Sequence, residues 1–579
     1  MRGAKLLLAL VGAMSALVAA PAAAQSAPDP VGAWSGALAV PTGALTLVVY
    51  VTRDPDGSLK GELESRDQAP GKRIPMADVA AADGHLRFKI PLIGASYDGT
   101  WTPADKQWRG TFTQGASMAL NLTQGVPPPK AAVPGLDGTW QGSFERNGAK
   151  LRHVLHIATD PQLGTNALFD SPDQLAMGLP LVGLAHEGQA VRFATGQGAR
   201  YAGTLSPDGK QIVGKWSVPG QPDTAVTFVR ADVAAAGAGP RRPQTPQPPF
   251  PYRAEDVAFD NPTFRDVHLA GTLTLPQGKG PFPAAVLITG SGAQDRDETI
   301  LGHKPFAVIA DYLTRRGFAV LRVDDRGVGK STGDYGAATS ADLATDANAA
   351  FAYLRTRADI RRDAIGFIGH SEGGMIGPIA MASNPDVAFL VMLAGPGTAL
   401  DKLMLSQRRL VGSQMGVSQA DLDRAEPVIA AVFHAIQAAP TPEAGRDAAM
   451  ALMTPDAKKA VGMTPEMDGA ILVNQVSGPW FQYFLRYDPR PNLARIHVPV
   501  LALDGSLDRQ VPPVENLAAI RAAMANNPDF TAIELPGLNH LFQPATTGAV
   551  GEYADIETTV APVALETMGD WLAKRFVKP

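Results

Sequence analysis

The 579-residue chain contains no cysteine. That absence excludes disulfides, thiolate catalysis, thiolate metal ligation and lipid attachment through a cysteine. No apolar run reaches the roughly 20 residues that a confident bilayer span needs; the N-terminal run, Leu6 to Ala20, falls short. Charge of one sign is scarce as well. A formal net charge of −5 is small for this length and supplies no global field to attract nucleic acid. The composition, 45% hydrophobic and 18% charged, is that of a globular protein rather than a disordered one. A chain this long exceeds a single core, so several domains are expected and function must reside in a local site.

The first residues have the pattern of an export signal. Arg2 and Lys5 are followed by the apolar run, then by Ala22-Ala23-Ala24 before Gln25. This predicts a signal peptide over 1–24 and a periplasmic or secreted protein with no stable membrane anchor after cleavage.

An internal repeat follows. Gly32-Ala33-Trp34-Ser35-Gly36 returns as Gly138-Thr139-Trp140-Gln141-Gly142, and Asp54-Pro55 as Asp160-Pro161 at the same offset. Gly99-Thr100-Trp101-Thr102-Pro103 likewise matches Gly203-Thr204-Leu205-Ser206-Pro207. Strand-like runs such as Leu45 to Thr52, Leu86 to Ile90 and Val191 to Ala194 alternate with turn chemistry at Pro55-Asp56-Gly57 and Pro207-Asp208-Gly209. Two small antiparallel β repeat modules are therefore expected, over 31–125 and 136–231. Their glycine-x-tryptophan opening resembles lipocalin-like β units. Tryptophans 34, 101, 108, 140 and 216 are expected to fill the module cores, the alternative being a glycan- or peptide-binding face. A Pro/Ala-rich linker over 232–252 closes the front end.

Beyond it the periodicity changes. Val267 to Leu275 alternates, Ala284 to Thr289 is a continuous apolar run, and helical patterns at Pro305 to Arg316, Ser340 to Thr356 and Pro562 to Phe576 interleave with further strands. Such alternation predicts an α/β, doubly wound, mostly parallel sheet over 253–579. The stretch of about 397–491 interrupts it with helix formers and six methionines. We read it as a helical cap over the carboxyl ends of the strands, where ligands bind in open sheets.

One segment carries chemistry. Ile365 to Ile368 reads as a strand, Gly369-His370-Ser371-Glu372-Gly373 as a sharp turn between small residues, and the stretch to Met381 as a helix. A nucleophile elbow needs that context, because it lifts the serine Oγ clear of the sheet. The helix start also points the backbone N–H of Glu372 at a would-be oxyanion. A serine needs a general base held by a carboxylate, and in this strand–turn–helix arrangement the chain order is serine, acid, histidine. His540, in a loop after a strand, is the expected base. His497 lies at the wrong end of its strand, His434 falls in the cap, and His370 is not the base. Asp508, in the loop after the strand ending at Leu503, is the expected acid, with Asp504 as a turn residue.

Residues from about Val257 to Phe576 resemble the α/β-hydrolase superfamily, and most closely bacterial esterases of the dienelactone-hydrolase and prolyl-oligopeptidase-like neighbourhood. The matching motifs are Gly290 to Asp297, Asp324-Asp325-Arg326-Gly327-Val328-Gly329-Lys330-Ser331, the elbow, Gly505 to Val511, and Asn539-His540. The resemblance implies that the second oxyanion N–H comes from the loop at Ser291, or from its neighbour Gly292. It also implies that Asp324-Asp325 braces a loop rather than holding a metal. Gly327 to Ser331 does not complete a phosphate-loop pattern. The expectation is a cofactor-free serine hydrolase cleaving small-molecule carboxylic esters through Ser371, Asp508 and His540. A serine peptidase is the first alternative, and a polymer-binding front end with a tethered hydrolase the second. Neither nucleic acid nor a metal enters; oligomeric state is unreadable from sequence.

Overall fold

The computed structural model describes residues 27–577 apart from 41–42, 91–92, 94, 115, 147–148, 175, 197, 219–221, 232–240, 464 and 466–468. The expected signal peptide and the first part of the expected linker lie outside the described residues.

The front end is more regular than two modules of short strands. Eight antiparallel strands between Gly32 and Gln124 close into a barrel, and eight more between Gly138 and Arg230 close into a second. Trp34 pairs with Gln124 across the first seam and Trp140 with Arg230 across the second. Closure removes the free edges that short antiparallel sheets otherwise expose, which explains how modules of this size stand as separate cores.

Both interiors are built the same way. Trp34 and Trp140 are fully buried, and their indole N–H groups donate to the carbonyls of Pro30 and Leu136 at 2.7 and 2.8 Å. The Tyr97 hydroxyl donates to Trp108 O at 3.0 Å and that of Tyr201 to Ile212 O at 2.9 Å. Trp108 and Trp216 are buried as well, and Trp101 packs partly buried against the first core. Trp34 and Trp140 thus satisfy their polar edge inside, as large amphipathic rings do in small cores, whereas the buried Trp108 indole N–H has no protein acceptor.

Residues 253–577 form the α/β region. Its strands are β1 (Arg253–Asp260), β2 (His268–Leu275), β3 (Phe282–Ile288), β4 (Ala319–Val323), β5 (Ile360–His370), β6 (Leu390–Leu393), β7 (Val500–Gly505) and β8 (Phe530–Leu535). The spatial order is β1-β2-β4-β3-β5-β6-β7-β8. Pairing is antiparallel at β1–β2 and β2–β4 and parallel throughout the rest. The central strands are apolar without alternation because helices cover both faces. Helices α1 (Pro305–Arg315), α2 (Ser340–Thr356), α3 (Gly373–Ser383), α11 (Pro513–Ala523) and α12 (Pro562–Phe576) do so. The sheet separates two apolar cores, one containing Phe367 and Met392 and the other Ile368 and Val391.

Between β6 and β7 the chain makes α4 (Leu400–Gln414), α5 (Gln419–Ala438), α6 (Pro442–Ala451), α7 (Pro455–Ala460), α8 (Ala470–Val473), α9 (Pro479–Arg486) and α10 (Arg490–Leu493). The described part of the expected linker is not free of the sheet: Arg242 donates to the carbonyls of Leu301, Ala554 and Ile556, and Gln244 pairs with Thr559 and Val560.

Candidate active site

Strand β5 sits between β3 and β6, and it is buried from Ala364 to His370. At its carboxyl end the chain turns so sharply that Ser371 takes φ +52°, a left-handed conformation that a serine adopts only where its surroundings force it. The force is visible. The Ser371 N–H donates to Leu393 O of β6 at 2.8 Å, and Gly374 N donates back to Ser371 O at 2.9 Å. A Cβ on Gly369 would overlap the Gly373 carbonyl, and one on Gly373 would overlap that of Ile288. Only glycine fits at either position, so α3 can start directly against the strand.

Ser371 faces a cavity of about 230 Å³, whose walls also include Ser291, Glu372, Met404, Trp480 and His540. His540 lies in the loop after β8 and is buried, as is Asp508 in the loop after β7. The His540 ring Nδ1 and Asp508 Oδ2 are 2.6 Å apart, while Asp508 Oδ1 accepts from the N–H groups of Gln510 and Val511 at 2.7 and 2.9 Å. Asp508 is therefore held by its own loop and aimed at the imidazole. Asn539, fully buried, fixes the histidine loop by accepting from Leu541 N and Gln543 N.

The neighbouring Asp504 accepts from Gly505 N at 2.8 Å. Burial, reinforced by the Asp508 carboxylate beside it, pushes Asp504 well above the usual carboxylate range. Two carboxyls crowded in a buried site disfavour each other's charge, which is the direction Asp504 takes.

Two backbone N–H groups of the β3–α1 loop already have acceptors. Gly292 N donates to the Tyr335 hydroxyl at 3.0 Å and Gly290 N to Glu298 Oε1 at 2.7 Å. Both groups are committed elsewhere, whereas Ser291 borders the cavity. Glu372 adjoins Ser371 at the start of α3, and its side chain turns inward: Oε1 accepts from Ser340 Oγ at 2.7 Å and Trp480 Nε1 at 2.8 Å. Burial raises the Glu372 carboxyl above its usual range.

Sequence reasoning missed a second buried chain of groups. His370 Nδ1 lies 2.9 Å from Glu298 Oε1, and its Nε2 lies 3.0 Å from the His540 carbonyl. Both partners are acceptors, so both ring nitrogens donate, which describes an imidazolium. Burial alone would lower the His370 ring, but the Glu298 carboxylate outweighs it and the net direction is upward. His370 thereby ties the oxyanion-side loop to the histidine loop. Its position before the serine was legible, but Glu298, 72 residues away, has no spacing signal that links the two.

The other candidates fall away from the cavity. His434 is exposed on α5, and His497 is exposed before the amino end of β7. Asp324 pairs with Arg296 at 2.7 Å, while Asp325 accepts from Thr289 Oγ1 and Gln294 N. Arg326 turns to Asp346 at 2.7 Å instead of bracing its own neighbours.

Residues 304–543 match the family model described as serine aminopeptidase, S33. The strand order and this match agree. Residues 253–577 have the α/β-hydrolase fold. The chain is also similar to esterase EstD of Thermotoga maritima, with 38% identity over 165 residues, 28% of this chain and 39% of that protein. It therefore spans about two-fifths of that relative's length. Among solved structures, a Pyrococcus furiosus esterase is 15% identical over 56% of this chain and 94% of its own, with a TM-score of 0.33. The 2,6-dihydroxy-pseudo-oxynicotine hydrolase is 19% identical over 56% and 68%, with a TM-score of 0.35.

Proposed function

We propose that the chain is a serine carboxylesterase acting outside the cytoplasm on small-molecule esters. The observation that carries this reading is the 2.6 Å contact of the buried Asp508 with His540, which lines the same cavity as a serine held at φ +52°. Asp508 orients His540 and balances the charge that its ring gains. His540 Nε2 takes the Ser371 proton as Oγ attacks the ester carbonyl. The resulting oxyanion is met by the backbone N–H groups of Glu372 and Ser291. Collapse expels the alcohol, protonated by His540, and leaves an acyl-enzyme; water then attacks with His540 again as base. Helices α4 to α9 act as a cap over the serine, with Trp480 joining it to the elbow through Glu372.

The similarity to an esterase supports ester over amide substrates. The test is hydrolysis of p-nitrophenyl esters and aminoacyl amides side by side, with fluorophosphonate labelling mapped to its peptide. Ser371→Ala is expected to lower ester turnover on the order of 10⁴-fold or more with the fold intact by circular dichroism. Retained turnover in that variant would refute the assignment.

A further inference from the structure

A second cavity abuts the one at Ser371, with the Gln407 amide donating to Gln510 Oε1 at 3.4 Å in the wall they share. Met404, Gln407 and Gln510 border both cavities, the second of about 310 Å³. That second chamber is mostly apolar, walled by Val411 and Met415 from the end of α4 and by Ile429 and Phe433 of α5, with Arg408 of α4 as a charged residue in its lining.

Its outer wall is not made by the α/β region alone. Val550 contributes one part and Asp173, from the second barrel, another. Asp173 is held rigidly: its carboxylate accepts from Arg152 N at 2.5 Å, Arg152 Nε at 3.0 Å and Arg152 Nη2 at 2.6 Å. The same guanidinium reaches across to Gly551 O at 2.5 Å and to the Asp555 carboxylate. A Cβ at Gly551 would run into Asp173, so the two surfaces meet without a gap there. Arg152 is thus a bidentate clamp, and the planar guanidinium fork suits that role.

We infer that the second barrel is part of the substrate site, with Asp173 closing an apolar chamber that receives a medium- to long-chain alkyl arm of the ester. This rests on the esterase reading above. A chain lying between Met404 and Phe433 leaves water for an apolar wall, a gain of roughly fourfold in affinity per methylene, while the charged clamp stops it from leaving the protein. The duplicated front end then has a use that neither a spacer nor a glycan-binding module would need: it sets how long an arm the chamber accepts.

The absence of cysteine makes the test direct. In Asp173→Cys the new thiol is the only one in the full chain, and its rate of modification by a charged methanethiosulfonate reports whether the wall is covered. Phosphonylation with a dodecyl fluorophosphonate is expected to slow that rate at least tenfold, and with a methyl fluorophosphonate hardly at all. Equal rates with both reagents would overturn the inference, as would protection seen at Met415→Cys but absent at Asp173→Cys. Failure of both reagents to phosphonylate Ser371 would instead overturn the esterase reading, and failure of the dodecyl reagent alone would overturn the inference. Should Asp173→Cys not fold, Arg152→Thr replaces it, taking the residue that the first barrel carries at the same register. Its ratio of p-nitrophenyl decanoate to acetate kcat/KM is expected to fall several-fold; an unchanged ratio refutes a role for the barrel.

Discussion

The two barrels are copies, offset by 106 residues in their first half and by 104 in their second, and one of the differences between them falls where the second meets the α/β region. In the first, Asp67 accepts from Thr46 N at 2.5 Å and pairs with Lys130 of the segment between the barrels at 2.8 Å. In the second, Asp173 accepts from Arg152 N at the same 2.5 Å, but Arg152 now brings a guanidinium that reaches Gly551 and Asp555. Nearby pairs keep their geometry while changing chemistry: Tyr50 bonds Glu64 at 2.7 Å, and His156 bonds Asp170 at 2.8 Å. Duplication preserved the aspartate that pins the backbone and altered the residue beside it. In the second barrel Arg152, with Asp173 against Gly551, makes this register a contact with the α/β region.

The strongest way to break this comparison is to unfold one barrel at a time. Trp34 and Trp140 are each fully buried and hydrogen-bonded, so Trp34→Ala and Trp140→Ala are each expected to cost about 3–5 kcal/mol, read as loss of one unfolding transition in calorimetry. Only Trp140→Ala is expected to depress turnover of a long-chain ester, because only its barrel walls the chamber. Equal depression by both variants would mean that the barrels do not differ in this respect.

Much of this was legible in the sequence, for physical reasons that differ by region. The elbow could be read because a strand, a glycine-flanked turn and a helix leave three local signatures in succession, and α2 and α12 have the predicted ends. The duplication could be read because Trp34 and Trp140 and their flanking glycines recur in register. Barrel closure could not, since the pairing of Trp34 with Gln124 spans the whole module and depends on strand tilt rather than on any local pattern. Strand β1 was missed because its residues Arg253, Glu255 and Asp256 are charged, as an edge strand's exposed face permits. Arg152, Glu298 and Trp480 escaped for one reason: each acts through a partner more than 70 residues away.

A second difference sharpens the comparison through pH. At the register where the first barrel buries Leu47, the second buries His153 among Phe144, Phe169 and Trp216, and its Nδ1 has no partner. Burial lowers this imidazole to about 4 from its usual 6.5. The folded state therefore holds it neutral where the unfolded state takes up a proton. Its contribution is intact above pH 6.5, declines as pH falls toward 4, and is constant below that. The span corresponds to roughly 3 kcal/mol. His153→Leu, which installs the first barrel's residue, is expected to remove that loss, so that wild type and variant diverge in chemical-denaturation midpoint as pH falls from 6.5 to 4. Parallel curves would show that the ring is solvated or paired.

The smallest effect separates pinning from docking. Asp67→Ala and Asp173→Ala each leave a strand N–H, that of Thr46 or Arg152, without its acceptor. For Asp67 that loss adds to a single ion pair with the partly exposed Lys130; about 1 kcal/mol is expected. Asp173 also holds two guanidinium donors of a half-buried arginine, Nε and Nη2, and its removal leaves Arg152 with Gly551 and Asp555 alone, so about 2 kcal/mol is expected. The sharper readout is cooperativity. Asp173→Ala should split the calorimetric transition of the second barrel from that of the α/β region, because the clamp that couples them has lost its anchor, whereas Asp67→Ala should shift the first barrel's transition without splitting anything. If the two variants behave alike, the shared aspartate does no more in the second barrel than in the first, and the interface is carried by Arg152 without it.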